Sequence, residues 1–246
     1  MVPIRCRIEP ELQRAMDPLS ELRPVVPDPG PAAAAVVPFP AARALELLAV
    51  FVGLPLVVRL GLLPGPRLLV LAVVTAGGVL VLGLDPTFDR RRLWSGRGLR
   101  GSLGGILLRT AGAAAVILAL VRWLAPDQLL ATPSRHLVLW LVGLALYPLL
   151  SAWPQEVLYR VLFFHRYRAL FPGPRAMAAA SGLAFALLHL VYPNAVAPLL
   201  ALPAGVLLAW TYRRTGSIGP VWLEHSLYGL LLFTLGLGQF FYDGRG

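Results

Sequence analysis

From residue 41 to residue 241 the chain is a succession of long apolar runs broken by short turns, and no other feature restricts its possible folds as strongly. A helix crossing the hydrocarbon core of a bilayer needs about 20 apolar residues, within a range of roughly 17–25. Runs of that length are expected at 41–62, 67–84, 103–124, from His136 past Pro148 and Pro154, and at 176–192, 195–212 and 219–241. The apolar residues do not fall in the 3.6-period stripes of a soluble amphipathic helix. With 57% hydrophobic and 14% charged residues and a mean hydropathy of +0.71, the composition excludes an ordinary soluble domain. The fold expected is all-α, a polytopic membrane helix bundle of about seven transmembrane helices. Pro148 and Pro154 leave residues 155–167 open to two readings, a continuation of the fourth helix or a separate helix, which makes the count seven or eight.

The net charge is +10, and all 22 basic residues are Arg. They sit mostly in short loops between the apolar runs, which points to membrane topology and away from a nucleic-acid partner. Arg90, Arg91, Arg92, Arg97 and Arg100 put the second connection on the cytoplasmic side. Counting alternately, Arg166, Arg168 and Arg175 fall on the same side, and so do Arg213 and Arg214. The N-terminus is then cytoplasmic and the C-terminus lies across the membrane, with Trp123, Trp153, Trp210 and Trp222 expected near span ends. Residues 1–40, proline-rich and carrying Glu9, Glu11, Asp17, Glu21 and Asp28 beside four Arg, are expected to form a disordered cytoplasmic tail. Their long, mixed-sign charge does not fit a signal peptide, and Met16 is an alternative start. Residues 41–125 make a first group of spans with the Arg-rich loop, and 136–241 a second. The single cysteine, Cys6, excludes a disulfide framework or a cysteine metal site within one chain.

The second group carries ionisable residues where lipid makes them expensive: Gln155-Glu156 with Arg160, Phe185 with His189, and Glu224-His225. A charged group at the bilayer centre costs about 2.5–3.5 kcal/mol on insertion scales, so such residues are expected to face one another and to mark a site. Glu156 and Arg160 are one helical turn apart and suit an ion pair, which is either structural or part of a site. His165 is expected at the interface. His189 follows a small-residue run that permits close helix approach, and a lone histidine there is more often a packing residue than a ligand. Glu224, near the start of its span, is expected to snorkel toward the surface; ligating a metal or pairing with Arg213 or Arg214 are the alternatives. Two histidines and a glutamate from three spans suit either a His₂Glu zinc site, with Glu156, His189 and His225 as ligands, or metal-free activation of water.

These residues resemble the marks of the CAAX-processing and bacteriocin-processing (CPBP, or Abi) family of intramembrane proteases. Those marks are Glu-Glu-x-x-x-Arg, Phe-x-x-x-His and His-x-x-x-Asn, each on a transmembrane helix. Here they fall on Gln155-Glu156 with Arg160, on Phe185 with His189, and on His225 with Gly229, so that 136–241 would be a CPBP-like catalytic core. The resemblance implies that His189 helps activate a water, that His225 stabilises the oxyanion and that Arg160 is a structural partner of Glu156. Gln155 stands where the family has its first Glu, and an amide cannot take up a proton at neutral pH. Gly229 has no side-chain donor at the Asn position. In an enzyme, Gln155 would orient the scissile carbonyl, with Glu156 and His189 activating water.

The function expected is therefore an intramembrane endopeptidase acting on a membrane-associated or C-terminal peptide or protein substrate, in contact with lipid, in the bacterial inner membrane. The alternative is a catalytically inactive relative that binds a partner, as immunity-type members do. A transporter with a buried His/Glu relay is a third reading, against which stands the lack of an internal repeat.

Overall fold

The computed structural model describes residues 40–63 and 65–242, all within one compact unit, Val36–Gly246. The expectations for residues 1–39, Cys6 and Met16 included, lie outside the described residues. No strand occurs among the described residues. The long helices are α1 (Ala41–Arg59), α2 (Arg67–Leu84), α3 (Leu99–Leu124), α4 (Leu137–Arg166), α5 (Pro174–Leu188), α6 (Val196–Thr215) and α7 (Ile218–Leu235). Among the described residues six segments, α1 to α6 with α5 extended by a 3₁₀ turn to Val191, are long and apolar enough to cross a membrane. This makes the chain an integral membrane protein. The last helix, α7, also has 18 residues. Glu224, His225 and Ser226 take up the middle of α7 and lower its apolarity, so the count by composition is one below that expected.

Contacts between connections show how the helices alternate. At one end, Ser217 Oγ and the Gly219 N–H both donate to the Ser95 carbonyl, Arg166 pairs with Glu46, and His165 pairs with Asp85 at 2.9 Å. At the other end, Asn194 Nδ2 donates to the Phe240 carbonyl at 2.8 Å, and the Gln128 carbonyl lies so close to Gly236 that no side chain fits there. Helix α7 thus runs between the same two ends as its neighbours. Gly216 (φ 59) and Gly236 (φ 115) close α6 and α7 in the left-handed conformation that glycine adopts without a steric cost.

Helix α4 passes through the middle of the bundle. Every residue from Pro154 to Phe163 is buried, and Phe51 of α1 packs edge-on against Tyr159 and Phe163 with centroids 5.0 and 5.2 Å away. Pro148 and Pro154 do not end the helix. Two π-helical segments, Pro148–Ala152 and Val157–Leu162, widen its turns and absorb the missing donors, leaving Trp153–Glu156 as one α-helical turn between them. Residues 155–166 therefore belong to the fourth helix, with Tyr167 capping its end, which settles that alternative. Trp153 accordingly lies midway along α4, stacked on Trp94 with centroids 4.8 Å apart, and not near a span end.

Helices α5 and α6 cross at two glycines. A β-carbon on Gly182 would meet Val206 Cγ2 at 2.8 Å, and one on Gly205 would meet the Gly182 carbonyl at 2.8 Å. Small residues at such a crossing let backbones touch, which is how membrane helices associate without a hydrophobic drive. By contrast α1 and α2 leave Leu56, Leu68, Leu69, Val73 and Leu80 exposed, which is the face an apolar helix offers to lipid.

Candidate active site

The single α-helical turn in α4 turns its two polar side chains in different directions, as about 100° between successive residues requires. Glu156 points inward and is fully buried. Its Oε1 accepts a 2.7 Å hydrogen bond from His225 Nδ1 of α7, and its Oε2 lies 3.3 Å from Arg160 Nε. That second contact is close enough for an ion pair but is not aligned as a hydrogen bond, since neither atom has a hydrogen-bond partner among the described residues. Arg160, also fully buried, donates instead through Nη1 to Ser181 Oγ (2.9 Å) and the Tyr159 carbonyl (3.1 Å), and through Nη2 to the Gly205 carbonyl (3.2 Å). Its guanidinium also sits 5.1 Å from the centre of the Phe185 ring. Arg160 therefore ties α4 to α5 and α6 while balancing the charge of Glu156.

Gln155 points the other way, toward a groove. Its Nε2 donates to Ser151 Oγ at 2.9 Å, and its Oε1 is buried without a partner among the described residues. The groove holds a cavity of about 100 Å³ between α1, α2 and α4 and the end of α5. Val50, Leu54, Val58, Leu71 and Val74 supply apolar wall, while Gln155 and His189 bring polar atoms to the same space. His189 opens the 3₁₀ turn after α5, and its Nδ1 bonds to the Phe185 carbonyl at 2.8 Å. A carbonyl only accepts, so Nδ1 carries the proton. The neutral ring then presents Nε2 as an acceptor.

Phe185 stands between the two histidines, 4.8 Å from His189 and 5.3 Å from His225 by centroids. The structure thus brings Glu156, Arg160 and His225 into contact and sets Gln155 and His189 on a shared groove, with Phe185 between the groups. Glu156 meets His225 and not His189, which departs from the pairing expected for water activation. Among the described residues no three His, Cys, Asp or Glu side chains stand close enough to hold a metal ion. Glu156, His189 and His225 therefore do not gather into a His₂Glu centre.

Glu224 requires a correction. It does not snorkel, and it pairs with neither Arg213 nor Arg214. It is fully buried, and its carboxylate accepts from Arg109 Nε (2.6 Å) and Nη2 (3.1 Å), Thr211 Oγ1 (2.5 Å) and Tyr228 Oη (2.7 Å). All four donors come from within the bundle, so the site ties α3, α6 and α7 together. Arg109 was not among the residues singled out from the sequence. His165 lies at the end of α4 beside Asp85, whose carboxyl is held below the usual range first by the Thr87 hydroxyl and then by His165.

Glu156, Arg160, His189 and His225 all fall within one continuous stretch that comparison with known families recognises. Residues 136–231 match the Rce1-like family. Its description is type II CAAX prenyl endopeptidase Rce1-like, which agrees with the resemblance to CPBP proteases read from the three motifs. The Rce1-like segment takes in α4 to α6 and most of α7, and so holds Gln155, Glu156, Arg160, His189 and His225, while Arg67, which also lines the groove, lies outside it. Helices α1 and α2, which supply most of the apolar wall of the groove, lie outside it. No curated protein and no solved structure matches the chain significantly.

Proposed function

We infer that the chain is an intramembrane endopeptidase that cuts a lipid-modified peptide near its C-terminus with an activated water. The observation that carries this reading is the unpartnered Gln155 Oε1 on the same groove as His189, with the Glu156–His225 pair behind Phe185. A buried acceptor without a partner costs about 1–3 kcal/mol, which a water bound at Gln155 would recover. Gln155 orients that water and His189 Nε2 takes its proton as the oxygen attacks the scissile carbonyl. Glu156 holds the His225 ring through Nδ1, and with the second ring nitrogen also protonated the Nε2–H stabilises the oxyanion. When the intermediate collapses the C–N bond breaks, and the leaving amine takes the proton from His189. Glu156, whose Oε1 is held by His225 and whose Oε2 balances the charge of Arg160, is a positioning residue.

The apolar groove suits an isoprenoid or acyl chain, and the description of the matching family names a prenyl substrate. By the distribution of Arg the cytoplasmic face is the end holding residues 90–100, 166–175 and 213–214, which puts the N-terminus in the cytoplasm.

The test is cleavage of a farnesylated, internally quenched CAAX peptide by protein purified in detergent. Wild type should cut, and His189→Ala should abolish cutting at unchanged yield and thermal stability. Cutting by His189→Ala would overturn the assignment of the base. An inert wild type that gains activity on Gln155→Glu would make the chain a binding relative instead.

A further inference from the structure

The position one turn after His225 is Gly229, and the space a side chain would take there is filled from α4. A β-carbon at Gly229 would overlap Cζ and the hydroxyl of Tyr147 outright. The same ring lies edge-on to His225, with centroids 6.1 Å apart, and against Phe233 at 5.7 Å. Tyr147 is the last residue of the α-helical part of α4 before the π-helical segment at Pro148, where the widened turn redirects the chain. Trp222 of α7 fixes that turn by donating its indole N–H to the Pro148 carbonyl at 2.6 Å. The Tyr147 hydroxyl has no hydrogen-bond partner among the described residues, whereas Tyr228, the residue before Gly229 on α7, gives its hydroxyl to Glu224. A phenol O–H in the half-buried interior without an acceptor is a donor held in reserve.

We propose that Tyr147 is a catalytic residue whose phenolic O–H acts beside His225 as the second oxyanion donor, in space that only a glycine at 229 leaves open. This rests on the proteolytic reading above. In the step concerned, the carbonyl oxygen gains the electron pair of its π bond as water oxygen bonds to carbon. The new charge is met by His225 Nε2–H and Tyr147 O–H. Neither group gives up its proton, and the charge returns to the carbonyl when the C–N bond breaks. Because Tyr147 reaches the site from α4 and His225 from α7, the Trp222–Pro148 bond sets the spacing of the two donors.

The experiment uses the full chain in detergent and the same farnesylated quenched peptide. Tyr147→Phe keeps the ring and removes only the donor. Loss of one oxyanion donor lowers kcat by about 10²–10³-fold, and the proposal expects that loss with KM nearly unchanged. A second variant controls for packing. Tyr147→Ala opens the space at 229, and Gly229→Asn added to it places an amide N–H₂ there, so the double variant should regain most of the kcat that Tyr147→Ala loses. A structural role for the ring would lower thermal stability in Tyr147→Ala and give no such rescue. Wild type that cuts no faster than Tyr147→Phe overturns this assignment alone. Wild type that cuts nothing overturns the proteolytic reading and this proposal together.

Discussion

Removing Arg109 isolates the energetics of the Glu224 network. Leucine at 109 keeps the apolar stem and deletes the guanidinium that gives Glu224 two of its four hydrogen bonds, at 2.6 and 3.1 Å. The carboxylate is fully buried and stays so, because Thr211 on α6 and Tyr228 on α7 still enclose it. Stranding one member of a buried ion pair costs about 3–5 kcal/mol. The lower end applies here, since the Arg109 side chain is 28% exposed and two hydroxyl donors remain. A loss of about 3 kcal/mol is expected for Arg109→Leu. The diagnostic variant is Arg109→Leu combined with Glu224→Gln. The amide keeps an acceptor for Thr211 or Tyr228 without the stranded charge, so the double variant should be more stable than the single by about 2 kcal/mol. The assay is reversible unfolding in mixed micelles with increasing SDS, followed by tryptophan fluorescence. An Arg109→Leu loss below about 1 kcal/mol, or a double variant less stable than the single, would refute the reasoning that the pair is a buried charge couple.

Two further outcomes test the bundle and the site. Gly205→Ala drives a methyl to 2.8 Å from the Gly182 carbonyl and 3.0 Å from Phe185 Cδ1, and overpacking of this kind costs about 1–3 kcal/mol. The same SDS titration should show that loss together with slower cleavage, because Phe185 separates the histidines, and an unchanged midpoint would show that the crossing has slack. Since no three metal-ligating side chains converge among the described residues, 1,10-phenanthroline should leave the cleavage rate unchanged, and inhibition reversed by added zinc would overturn that expectation.

Much of the architecture was legible because lipid imposes length. The apolar run at 67–84 has the limits of helix α2, and the spacing of Glu156 and Arg160 put them on one face. The site was legible as far as motif spacing carries, which brought Glu156, His189 and His225 forward as a group. Which of them touch was not, because helix rotation and the side taken by each ring depend on packing. Glu156 could have faced either histidine, and Arg160 bound to Ser181 and the Gly205 carbonyl holds α4 so that it meets His225. Arg109 escaped notice because its partner is 115 residues away and no local pattern joins them. The course of α4 was ambiguous for a different reason. A proline read alone predicts a break, whereas the π-helical segments that accommodate Pro148 and Pro154 have no signature in the chain itself.

The groove at Gln155 and His189 is walled by α1 and α2, whose other faces carry exposed leucines and valines. A substrate anchored by a hydrocarbon chain therefore meets this protein by diffusing in two dimensions. Its effective concentration is a mole fraction in the surface, set by how many lipids or detergent molecules dilute it. Adding micelles at constant enzyme and peptide should slow the reaction as an inhibitor would. A Michaelis constant quoted in moles per litre would then describe the detergent as much as the protein.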